Sequence, residues 1–155
     1  MHVMESYKQT ADVFAFVEEY HRKIQQLFDD LKDESEKKRV QLLLDHLDRH
    51  KRRYADAMKD YSENEARTIN ETWIQYVPHN EYLNLEGLEI SPELSIDEVV
   101  EIALELDNRL INFFSVLAEG TSLPPKVKNV FKRMIEQEEA EKEEIVQTAE
   151  NIKRL

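Results

Sequence analysis

Apolar residues at Val13, Val17, Tyr20, Ile24, Leu27 and Leu31 recur at spacings of three and four, the period that lays them on one stripe of a helix. They predict a first helix from about residue 8 to 32. The charged run Lys32 to Arg39 makes a short polar turn, after which Val40, Leu43, Leu44, Leu47, Tyr54, Met58 and Tyr61 resume the period in a second helix. A turn that short brings the second helix back antiparallel to the first. Ser95 followed by Glu98 is a capping-box signature, and Ile96, Val99, Ala103, Leu106, Leu110, Phe114 and Leu117 follow it as the stripe of a third helix ending at Gly120. Pro124 and Pro125 suit a helix start, where a missing amide donor costs little. Val127, Phe131, Met134, Ile145, Ala149 and Ile152 carry the fourth helix to the end of the chain.

Between Tyr61 and Ser95 the period breaks, with Trp73, Tyr76, Pro78, Gly87 and Pro92 interrupting it. A short helix over 65–76 is expected inside this segment. A connection of this length is surplus between antiparallel neighbours and suits a crossover that carries the chain along parallel second and third helices. The predicted fold is therefore all-α: an antiparallel four-helix bundle of two hairpins, 8–61 and 95–155, joined by the crossover 62–94 in a single domain, 1–155. Trp73, Tyr76 and Tyr82 are expected to cover the open edge of the bundle, or else to line a ligand pocket or partner surface.

Composition agrees with this. The 155 residues suffice for one continuous core, and only 2 Gly and 4 Pro interrupt a chain that is 35% charged. The absence of Cys leaves oxygen and imidazole as the only metal donors. A net charge of -12 repels a phosphate backbone or an anionic lipid surface, so neither nucleic acid nor membrane is expected as a partner. Met1 to Val13 lacks the basic and apolar pattern of a secretory signal, which points to a cytoplasmic protein. The acidic surface could itself imitate nucleic acid, but the mixing of Lys and Arg into the first, second and fourth helices argues against that.

The chemistry lies where polar residues interrupt the stripes. His50 falls between Leu47 and Tyr54, Asp107 beside Leu106, and Glu138 and Glu141 between Met134 and Ile145. The hairpins look like internal copies, and if they pack as equivalent halves, His50 matches Glu141 and Leu47 matches Glu138. Three acids and a histidine then converge. Buried together, they need a metal ion, shared protons or a basic partner to balance them. The plainer reading is a solvated run from Glu136 to Glu144 and a hydrogen-bonded core histidine. His46 and His50 also form an H-x-x-x-H pair, with His46 facing solvent or a seam.

These residues resemble the rubrerythrin-like branch of the ferritin-like superfamily, in which each half carries a glutamate on one helix and Glu-x-x-His on the next. Ala103-Leu104-Glu105-Leu106-Asp107, leading to Phe113-Phe114 and Leu117-Ala118, is similar to the family's A-x-E-x-E stretch, with Asp107 at the ligand position. Ile135-Glu136-Gln137-Glu138-Glu139-Ala140-Glu141 is similar to I-A-x-E-x-x-H, with Glu141 in the place of histidine. In the first half Leu47 stands for the glutamate, His50 keeps the histidine and the remaining ligand position falls near Val17. Haemerythrin-like bundles need more histidines than these helices hold. The resemblance implies a ferritin-like scaffold that has lost its dinuclear chemistry and serves as a homodimeric binding or interaction module with a protein partner, not as an enzyme. The alternative is a reduced site in which His50, Asp107, Glu138 and Glu141 hold one iron, manganese or zinc ion in a redox or iron-handling protein.

Overall fold

The computed structural model describes residues 4–64, 67–78, 82–119 and 123–155. Four long helices dominate: α1 (Thr10–Glu34), α2 (Lys38–Asn64), α4 (Ile96–Glu119) and α5 (Pro125–Lys153), with a single turn, α3 (Arg67–Asn70), between α2 and α4. Two strands, β1 (Met4–Gln9) and β2 (Trp73–Pro78), complete the described elements.

The helix ends follow local chemistry. Glu98 N–H donates to Ser95 Oγ at 3.2 Å and Ser95 N–H donates to Glu98 Oε1 at 3.0 Å, closing the capping box that opens α4. The backbone hydrogen bond lowers the Glu98 carboxyl pKa from its ordinary value. Pro125 occupies the first turn of α5, where its missing donor is harmless. The expected end of the third helix at Gly120 lies outside the described residues; α4 runs to Glu119. Between α1 and α2, Gln41 Nε2 donates to the Ser35 carbonyl at 2.5 Å and fastens the turn.

The segment 62–94 departs from expectation. The short helix foreseen over 65–76 shrinks to α3, with residues 65 and 66 outside the described set. Residues 73–78 are extended instead and pair antiparallel with 4–9, Lys8 opposite Ile74 and Gln9 opposite Trp73. Ile74 and Val77 bury against the helical core while Trp73, expected to cover the edge of the bundle, is 61% exposed and not part of the core. Tyr82 packs partly on the core, and the Tyr76 side chain lies outside what is described. Thr72 O accepts from both Thr10 N–H (2.9 Å) and Thr10 Oγ (3.2 Å), which ties the start of α1 to the approach to β2.

α1 packs chiefly on α2 and α4 on α5. All four long helices feed one apolar cluster containing Phe14, Ile24, Phe28, Leu43, Leu47, Leu106, Leu110, Phe114 and Phe131. The ring of Phe114 stacks on that of Phe131 with centroids 6.1 Å apart, and Phe14 meets Phe131 tilted at 60° with centroids 6.4 Å apart. Truncating any one of these leucines to alanine is expected to cost about 2–5 kcal/mol, the transfer term plus the cavity it leaves. Tyr20 Oη donates to the Leu106 carbonyl at 2.9 Å and fastens α1 to α4 at the level of the polar cluster described next. Among the described residues no helix is long and apolar enough to cross a membrane.

Candidate functional site: a lysine among buried carboxylates

Midway along the helices the apolar core gives way to ionisable side chains. Asp107 enters from α4, Glu138 and Glu141 from α5, Lys51 from α2 and His21 from α1, and each is at most 4% exposed. Lys51 Nζ lies 2.5 Å from Asp107 Oδ1 and 3.3 Å from Glu141 Oε1. One oxygen from each of Asp107, Glu138 and Glu141 falls within 4.8 Å of the others. His21 Nε2 is 4.0 Å from Glu138 Oε1, and its ring stacks on Tyr54 at 5.6 Å between centroids. The Lys51 ammonium lies 5.8 Å from the centre of the Tyr54 ring.

Taking an ion out of water costs several kcal/mol even after relaxation, so these groups persist only by balancing one another. Burial works to lower the Lys51 pKa, and Asp107, Glu141 and Glu138 outweigh it, holding the amine well above its ordinary value and charged. Burial raises the Glu138 carboxyl well above the usual range, opposed by Lys51 and helped by Glu141 and Asp107. Asp107 is raised to about 6 by burial, with Lys51 opposing. Burial and then the nearby ammonium push His21 well below its ordinary value, leaving it neutral. The ammonium is thus the buried cation that the Asp107 and Glu141 side chains face. Asp107 Oδ2, Glu138 Oε2 and His21 Nδ1 make no hydrogen bond to the protein.

Three of the four residues singled out in the sequence therefore meet, and Glu138 and Glu141 belong to the core and not to the solvated face beside them. His50 does not join them. It lies at the seam of α2 with α5, its Nε2 3.5 Å from Glu144 Oε1 and its ring 4.1 Å from that of His46. The stripe Leu47, Tyr54, Met58 leaves a gap that either residue 50 or 51 can fill at spacings of three and four. One position turns a side chain by about 100° around the helix, and here it is Lys51 that turns inward. His21 and Lys51 follow Val17 and Leu47 by one turn each, the signal that would have located them.

Shifting the first half by that turn changes the match between halves. His21 on α1 now corresponds to Asp107 on α4, and Lys51-x-x-Tyr54 on α2 to Glu138-x-x-Glu141 on α5, at separations of 30 and 31 positions from helix to helix. In that alignment the six positions hold an imidazole, an ammonium, a phenol and three carboxyl groups. That set does not fit a dinuclear metal centre: a protonated lysine has no lone pair to give, and it lies against Asp107 and Glu141, two of the carboxylates that would have to serve as ligands.

A cavity of about 370 Å³ lies beside the cluster, lined by Tyr54, Met58, Tyr61, Gln137, Glu141 and Glu144. Through Tyr54 and Glu141 it touches the buried network. Comparison with family models, with curated proteins and with solved structures finds no match to this chain.

Proposed function

We propose that this chain is a ferritin-like four-helix bundle whose dinuclear centre has been replaced by an internal ion network, and that it works as a non-catalytic binding or interaction module. The observation that carries this reading is the Lys51 ammonium, wholly buried and 2.5 Å from Asp107. It supplies from within the chain the positive charge that a metal would otherwise bring to Asp107 and Glu141. The six matched positions support the ferritin-like part, since they repeat the order of one residue on the first helix of a hairpin and an i, i+3 pair on the second. The neighbouring cavity, with two tyrosines, a methionine and two glutamates on its walls, is the concave surface such a module offers to a ligand.

The test is elemental analysis of the untagged full-length chain, prepared without chelator or metal-affinity resin, beside its Glu138→Gln and Lys51→Met variants. The expected result is that Glu138→Gln leaves the content of iron, manganese and zinc unchanged. Near-stoichiometric metal that disappears in Glu138→Gln would overturn the reading in favour of a reduced metal site. Lys51→Met keeps the bulk of the stem but strips the cation from the carboxylates. That variant is expected to gain stability on addition of Mn²⁺, whereas the wild type is not.

A further inference from the structure

We propose that His46, His50 and Glu144 form a binding site for a zinc-class divalent cation at the seam between α2 and α5, separate from the Lys51 network. His46 and His50 stand one turn apart on α2, so both imidazoles project on the same side, and Glu144 reaches them from α5. His50 Nε2 is 3.5 Å from Glu144 Oε1, and one ligand atom from each of the three residues lies within 4.8 Å of the other two.

One further feature points to a ligand. His46 Nε2 is buried and has no hydrogen-bond partner in the protein, a ring nitrogen that nothing else in the fold uses. Two imidazoles and a carboxylate with no thiolate suit zinc, with the fourth tetrahedral position left to water. Donors in such a shell lie about 3.3 Å apart. Glu144, 53% exposed, is the side chain with room to rotate and close the remaining distance. The triplet has no ammonium within it, unlike the Asp107 cluster, so an ion from solution has no internal cation to displace.

The experiment is titration of the untagged full-length chain with Zn²⁺ followed by calorimetry, and with Co²⁺ followed by its visible absorption. One equivalent is expected to bind, with the intense visible bands of tetrahedral cobalt. His46→Ala and His50→Ala should each weaken binding by about ten-fold or more. Glu144→Gln should weaken it by a smaller factor and alter the cobalt spectrum, and Glu143→Gln, an exposed neighbour on α5, should leave both unchanged. Glu144 is a surface side chain, so its variant keeps the test open if a histidine variant does not fold. A folded wild type that shows no saturable Zn²⁺ binding would overturn the proposal. So would undiminished binding in the His46→Ala/His50→Ala double variant, or a Glu144→Gln variant with unchanged affinity and spectrum. None of these outcomes bears on the Lys51 network, which Glu138→Gln and Lys51→Met probe independently.

Discussion

His50 and Lys51 are neighbours in the chain and belong to two polar clusters with opposite solutions to the same electrostatic problem. Lys51 is wholly buried and meets carboxyl groups that are also buried. With no water to screen them, the charges must cancel inside the protein, and the ammonium does so at fixed geometry. His50 sits on a seam where Glu144 is half exposed, and solvent can supply or remove whatever charge the triplet needs. The depth of a cluster, more than the residue types in it, decides whether its counter-charge is built into the chain or taken from solution.

The sharpest way to break this contrast is to truncate each neighbour in turn. Lys51→Ala leaves Asp107 and Glu141 without their cation and is expected to cost about 3–5 kcal/mol in urea unfolding. His50→Ala is expected to cost less than about 1 kcal/mol, because no buried charge loses its partner. Comparable losses from the two would mean that the clusters are not electrostatically distinct.

The next effect is in pH. The Asp107 carboxyl goes from 3.8 unfolded to about 6 folded, so the native state holds an extra proton between those values. Its contribution to stability is therefore full below about pH 4 and is lost as pH rises through about 6, an effect on the order of 3 kcal/mol. His21 acts in the opposite sense. Its folded pKa lies below the ordinary 6.5, so its contribution is full above that value and declines on acidification, as the unfolded chain takes up the proton. Unfolding free energies between pH 4 and 7 should accordingly shift in opposite directions in Asp107→Asn and His21→Asn, the first removing a decline with rising pH and the second a rise. Parallel profiles in the two variants would refute this opposition.

Smaller effects sharpen the boundary of the buried cluster. Tyr20→Phe removes the hydroxyl that donates to the Leu106 carbonyl and should cost about 1 kcal/mol, measured as a lowered urea midpoint at unchanged slope. Ser95→Ala opens the α4 capping box at a cost of about 1 kcal/mol without touching either cluster. If Tyr20→Phe is additive with Lys51→Ala, the tyrosine is a fastening of α1 to α4; coupling between them would place it inside the ion network.

Much of this was legible in one dimension. Val13 to Leu31, Val40 to Tyr61, Ile96 to Leu117 and Val127 to Ile152 mark the long helices because each stripe repeats at helical spacing over several turns, and error in any single position averages out. Ser95 and Glu98 mark a start through contacts three residues apart. Asp107, Glu138 and Glu141 were readable as a converging set because each lies within a stripe that is otherwise apolar on both sides.

The choice between His50 and Lys51 could not be made that way, because both satisfy the period and they differ by about 100° of rotation. Only the packing of α2 against its neighbours settles that rotation, and it turns the long amine toward the carboxylates that can balance it. The pairing of 4–9 with 73–78 was equally hidden, since a short strand gains its hydrogen bonds from a partner far away in the chain. Local periodicity and capping thus determined the helices and the acids they carry. Tertiary contact alone decided which cation meets those acids, because helix phase and strand pairing are set by surfaces that do not exist until the chain has folded.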